Sequence, residues 1–209
     1  MAVKVQAHKS LRKSGIAFID DIPWGTHICG FFETQSDLID ILIPYFLAGL
    51  EDNEYCIWII PESISIFAAT NILREFFPGY ELYSEQIEVL SDSMWYINND
   101  SFGSFQGSRL AKKWTDKVDY ALSKGYEGIR ICGSTSWLEK RYWKTFMNYE
   151  AEVEREIGSL KMIALCPYQL SKCGMHEILD IVHNHQFSFV KSKHYWKIIT
   201  ILLSLTVLI

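Results

Sequence analysis

The chain has 209 residues, 49% of them hydrophobic, and a formal charge of −5. That is enough apolar material for one good core, at a length that favours a single domain. The acidic balance leaves no broad basic field, which argues against direct nucleic-acid binding by this chain.

Residues 1–14 are locally basic and read as a solvated N-terminal arm. They contain no apolar secretory segment. The five cysteines (Cys29, Cys56, Cys132, Cys166 and Cys173) are an odd number with no CxxC pair. That argues against a disulfide framework or a zinc ribbon and predicts reduced thiols in a cytoplasmic protein.

From there the elements alternate. "HICGFF" (27–32) is a short apolar strand, and "ETQSDLIDILIPYFLAGL" (33–50) has helical spacing. Thr34 or Ser36 can cap that helix, and Leu38, Ile41, Leu42, Tyr45 and Phe46 fall on one stripe. Pro44 predicts a kink or an early end, and Gly49 a nearby stop. "YCIWII" (55–60) is a buried strand, and the helix over 62–77 is stopped by Pro78 and Gly79. A strand over 86–90 is followed by a polar and aromatic loop, 91–105, and a helix over 106–125. A strand (126–133), a helix (140–158), a strand (161–168) and a helix (175–186) complete the series.

Strands separated by helices of ten or more residues imply crossovers and a mostly parallel sheet, and strands apolar on both faces imply helices on both sides. One three-layer α/β domain over 15–190 is the reading, with 191–209 as an apolar C-terminal strand or tail. The run from Ile198 to Ile209 is shorter than the roughly 20 residues a bilayer span needs, so membrane contact is not expected there. Its β-branched residues suit a buried strand. A partner contact and a tail left by truncation are the alternatives.

In open parallel sheets, ligands bind beyond the carboxyl ends of the strands. Cys29, Cys132 and Cys166 gather near those ends, with Phe31, Phe32, Trp58, Trp137 and Tyr168 as aromatic neighbours. Each cysteine also reads as a small core filler. His27 and Cys29, two apart on a strand, face the same side, which permits joint ligation without demanding it. A metal, if present, would use His27, Cys29 and Cys166, although no spacing matches a known metal motif. Arg130, inside a strand, needs a buried partner, and Glu150 on the following helix is the candidate. The loop "GFFETQSD" lacks the second glycine and the lysine of a phosphate-binding loop and adds Glu33 and Asp37, so ATP hydrolysis is not expected. A Cys29–His185 nucleophile has no supporting motif.

The stretch from Gly25 to Glu62 resembles the opening of the MEDS domain, a methanogen/methylotroph, DcmR-type sensory domain. His27, Cys29, Phe31, Phe32, Gly49, Leu50, Glu54, Cys56 and Trp58 carry that resemblance. "ALSKGYEGIRICGSTSW", "NYEAEVE", "ALCPYQL" and "ILDIVHNH", ending at His185, extend it to about residue 187. The sequence departs from the family at Ser134, where an acidic residue is common, at Gln186, where proline is common, and in showing no recognisable output module.

The resemblance implies a RecA/KaiC-like fold without a working phosphate loop. It also implies a non-catalytic module sensing a small hydrocarbon derivative, of the methylated or halogenated one-carbon type. The expected ligand pocket takes His27, Cys29, Phe31, Phe32, Trp58, Arg130, Cys132, Trp137, Tyr149, Glu150, Cys166, Tyr168 and His185. Such a module would report to a kinase or transcription regulator and could form a homo-oligomer. The sequence names no cofactor. Two other readings stand beside this one: a metal- or haem-dependent redox sensor using His27, Cys29 and the other strand-end cysteines, and a residual nucleotide-binding or cysteine-dependent enzyme.

Overall fold

The computed structural model describes residues 10–96, 107–193 and 195–199. Most of the basic arm, the greater part of the 91–105 loop and the tail from residue 200 lie outside them. A two-stranded ribbon, β1 (Leu11–Arg12) with β2 (Ile22–Pro23), precedes a seven-stranded sheet. The sheet strands are β3 (Thr26–Phe32), β4 (Tyr55–Ile60), β5 (Ile87–Ser91), β6 (Ile129–Gly133), β7 (Met162–Gln169), β8 (Phe187–Ser192) and β9 (Tyr195–Ile199). Their order is β5-β4-β6-β7-β3-β8-β9, parallel throughout except for the antiparallel β8–β9 pair.

Two cores cover the two faces. Helices α1 (Gln35–Glu51) and α2 (Ile66–Phe76) pack on Ile28, Trp58, Cys132 and Leu165. On the other face, α3 (Asp92–Tyr96), α4 (Gly107–Ser123), α5 (Trp143–Ile157) and α6 (Met175–His183) pack on Cys29, Phe31, Ile131 and Ala164. Period-two alternation in β3, β6 and β7 sends neighbouring residues to opposite cores. The connections through α1 and α2 therefore leave on one side of the sheet, and those through α4, α5 and α6 on the other. They part above β3, β6 and β7, which opens a crevice at the strand ends.

Thr34, not Ser36, caps α1. Its side chain accepts from the Asp37 N–H, and the Asp37 carboxylate accepts from the Thr34 N–H, a reciprocal capping box. Pro44 neither ends nor divides α1. The carbonyl that its missing N–H releases belongs to exposed Asp40, where water can satisfy it. The helix runs two residues past Gly49 and ends before Asn53, which takes the left-handed conformation at φ 59°. Gly49 has a different duty: a Cβ there would stand 2.6 Å from Arg130 Nε. α6 ends at His183, so His185 sits in the connection to β8. The final strand starts at Tyr195, before the apolar run, and pairs with β8, which the sequence reading missed.

Candidate functional site

The sheet divides the residues expected to share one pocket. Phe32, Trp58, Cys132 and Tyr168 line a cavity of about 290 Å³ at the carboxyl ends of β3, β4, β6 and β7. Leu38 and Ile39 from α1, Ile72 from α2, and Leu138 and Trp143 from the segment after β6 complete its apolar wall. Its polar edge is a hydroxyl run that sequence reasoning did not single out. Ser134 Oγ donates to Ser136 Oγ at 3.0 Å, and Ser136 Oγ donates to Asp92 Oδ2 at 2.9 Å. Thr135 Oγ1 donates to the Pro167 carbonyl at 2.7 Å. Asp92 is buried and its second oxygen accepts from the Glu62 N–H, so these groups are held in place before any ligand arrives. Beside the cavity only Glu33 and Thr34 separate β3 from α1.

The other residues face the opposite core. Buried His27, Glu150 and His185 and part-buried Cys166 form a cluster in which one N, O or S atom from each lies within 4.8 Å of the others. Glu150 Oε2 is 3.4 Å from His27 Nε2 and 3.3 Å from His185 Nε2, and Cys166 Sγ is 3.5 Å from His27 Nε2. The two imidazoles lie against each other, ring centres 4.0 Å apart. Burial, reinforced by the neighbouring His185, pushes the His27 pKa down to about 3, so its ring is neutral. Burial also raises the Cys166 thiol well above its ordinary range, and the Glu150 charge adds to this.

Cys29 stands beside this group without joining it. Its thiol donates to Ser188 Oγ at 3.1 Å, and burial pushes its pKa up to about 12. Cys29, expected beside His27 and Cys166 in any metal set, is therefore outside the cluster, and Glu150 and His185 stand in it. Phe31 packs against Tyr168, with ring centres 5.9 Å apart. Tyr149 accepts from Trp114 Nε1 at 2.6 Å inside the same core, and Trp137 stacks on Tyr96.

Arg130 belongs to neither group. It lies on the α1 face, fully buried, and Glu150 is on the opposite face of the sheet. Its partner is Glu54: Arg130 Nε donates to Glu54 Oε2 at 2.6 Å and Nη2 to Oε1 at 3.2 Å. The remaining donors go to the carbonyls of Lys13, Ser14 and Tyr45 at 2.8–3.0 Å. All five guanidinium N–H groups are thereby used, which leaves none for a ligand. A glutamate just before a strand, opposite an arginine inside another, was the signal for this pair; helix proximity pointed to the wrong carboxylate.

The model of a family described as "MEthanogen/methylotroph, DcmR Sensory domain" (MEDS) matches residues 26–186. No curated protein matches the chain. A solved structure of a KaiC-like protein from the hyperthermophilic archaeon Pyrococcus horikoshii OT3 is 13% identical. It superposes with a TM-score of 0.62 over 91% of this chain and 88% of that one. At that identity the likeness shows the fold: a three-layer, RecA/KaiC-like α/β domain. Among the described residues no helix is long and apolar enough to cross a membrane.

Proposed function

The chain belongs to the MEDS family of sensory domains, and from that premise we propose that it senses a small, largely apolar, uncharged molecule held in the cavity at the strand ends. The family's description gives the sensory role. The observation that carries the ligand class is the cavity itself: about 290 Å³, walled by Trp58, Ile39, Ile72 and Leu138, with fixed hydroxyls from Ser134, Thr135 and Ser136 on one side. That volume sits at the small end of the roughly 300–1,000 Å³ typical of ligand pockets. An apolar body with one polar handle fits such a wall, as a short halogenated or methylated hydrocarbon derivative would. The module is non-catalytic on this reading. The Ser136 hydroxyl is tied to Asp92, whose other oxygen accepts from the Glu62 N–H, and burial holds the Cys132 thiol protonated by raising its pKa.

The test is a binding screen on the full chain. Trp58 and Trp143 line the cavity, so occupancy should alter tryptophan emission and raise the melting temperature. Halogenated methanes, methylated amines and sulfides, and short alcohols form the panel, with ATP and ADP beside them. Ile72→Trp, which fills the cavity from α2, should remove the response while the protein stays folded. Saturable binding of ATP or ADP with no response to the panel would overturn the proposal, as would panel binding that Ile72→Trp leaves unchanged.

A further inference from the structure

We propose that His27, Glu150, Cys166 and His185 form a binding site for one zinc-class divalent metal ion, separate from the cavity at the strand ends. His185 Nδ1 lies 2.7 Å from the Ile181 carbonyl, which only accepts, so Nδ1 carries the proton. His27 Nδ1 lies 3.2 Å from Glu154 Oε2, a carboxylate that accepts in the same way. Each ring thereby turns its Nε2 toward Glu150 Oε2, itself an acceptor, at 3.4 Å from His27 and 3.3 Å from His185. Glu150 Oε2 and His185 Nε2 are buried and make no hydrogen bond. Three acceptors converging on one enclosed point is an unfavourable arrangement unless something positive stands between them.

A proton answers only part of this. It satisfies one of the two Nε2–Oε2 contacts, and the Cys166 thiol can donate to His27 Nε2 at 3.5 Å, but the other contact, His27 Nε2 to Glu150 Oε2 at 3.4 Å, still sets two acceptors together. A metal ion answers all four atoms at once, and the distances agree with one. Tetrahedral zinc, with bonds of about 2.0 Å to N and O and about 2.3 Å to S, sets its ligands about 3.3 Å apart for N and O and about 3.5 Å apart for N and S. The observed separations are 3.3 and 3.4 Å for the two N–O edges and 3.5 Å for the N–S edge. The remaining edges, within 4.8 Å, close by small rotations of Cys166 and His185.

The donors are two imidazoles, a carboxylate and a thiolate, a set that suits tetrahedral zinc or cobalt(II) and not magnesium or calcium. Glu154 and the Ile181 carbonyl orient the two rings from behind, as outer partners do in metal sites. Four protein ligands close the coordination sphere, so the ion ties β3 and β7 to α5 and to the connection after α6 rather than activating water. On binding, the Cys166 thiol gives its proton to solvent and coordinates as thiolate. Sequence spacing could not show this site, because its ligands come from four separate elements, each contributing one.

The experiment uses the full chain, purified without chelator under reducing conditions. Elemental analysis should find close to one zinc per chain, removable by chelator and restored by added Zn²⁺. Co²⁺ in its place should give a thiolate-to-cobalt charge-transfer band and tetrahedral ligand-field bands. Cys166→Ser should lose the charge-transfer band, and His185→Gln should lose stoichiometric binding. Should those variants fail to fold, X-ray absorption of the unaltered metal-loaded chain decides, with one sulfur and three lighter scatterers expected. Absence of stoichiometric metal together with no cobalt spectrum in the folded, reduced protein overturns the site, as does an absorption fit without sulfur. Stoichiometric iron on the same ligands would uphold the ligand set and overturn the zinc-class assignment.

Discussion

Replacing Glu54 by alanine should be among the most damaging single changes in this protein. The carboxylate is fully buried and pairs with two guanidiniums, Arg130 at 2.6 Å and Arg12 at 2.8 Å. Burial opposes the Arg130 charge, and the hydrogen bonds and charge of Glu54 outweigh it, so its pKa lies above the ordinary value. Arg130 stays ionised whatever replaces Glu54. Glu54→Ala leaves that cation in the core with three backbone carbonyls and the Tyr45 ring but no counter-charge. Breaking a buried pair in this way costs about 3–5 kcal/mol. For a domain of this size each kcal/mol lowers the melting temperature by about 2–4 °C, so a fall of about 6–20 °C is expected. Arg130→Met combined with Glu54→Leu removes both charges and should recover most of the loss, because the pair's own net contribution is small. The assay is calorimetric or circular-dichroism melting of the two single variants and the double. A Glu54→Ala shift below about 2 °C would refute the reasoning, since it would mean that Arg130 reaches water or another anion. A double variant no better than the worse single would refute it too.

Gly30→Ala should destabilise by about 1–3 kcal/mol through overpacking, because the new Cβ would stand 2.5 Å from the Phe189 ring, itself enclosed between β3 and β9. Thermal melts check this, and Phe189→Leu added to Gly30→Ala should restore part of the loss; an innocuous Gly30→Ala would mean that β8 is not seated as described. Thiol alkylation in the native state should begin at Cys173, which is half-buried, and leave Cys56 and Cys132 untouched until denaturation. Burial raises the pKa of those two thiols, and at Cys56 the Arg130 charge only partly offsets it. Mass spectrometry after timed iodoacetamide treatment reads the order, and equal labelling of all five cysteines would contradict it.

The alternation of strands and helices was legible because the central parallel strands β3, β4, β6 and β7 are largely apolar on both faces and the helices between them carry a period near 3.6. β8 was not legible. "FSFVKS" follows α6 after a short connection and alternates weakly, and it becomes a strand only because β3 offers it an edge. Pro44 misled because a proline in a helix is tolerated where the freed carbonyl is solvated, which depends on which side of the helix faces water. The candidate site was half legible. The right residue types were in view, but a list of strand-end residues ignores which face each occupies. Cys132 and Cys166 lie one strand apart at similar heights, and their side chains serve different cores. Arg130 was assigned to the wrong carboxylate for the same reason.

The two-residue connection after β3 supports the proposal of an uncharged ligand over a phosphate. A helix N-terminus binds an anion by offering free N–H groups and the positive end of its dipole. In α1 the Asp37 N–H is already given to Thr34, and the Asp37 carboxylate occupies the positive end. Partial burial acts against that negative charge, but hydrogen bonds from Thr34 and the Lys191 ammonium 3.6 Å away hold the Asp37 pKa below the ordinary carboxylate range. An incoming phosphate would have to displace this carboxylate and would lose the lysine to it, and it would find no loop backbone to wrap around it. Glu33 adds a second negative charge at the same end. A neutral ligand meets none of these costs. It needs only the apolar wall and a hydroxyl partner from Ser134, Thr135 or Ser136, and those groups are already fixed in place.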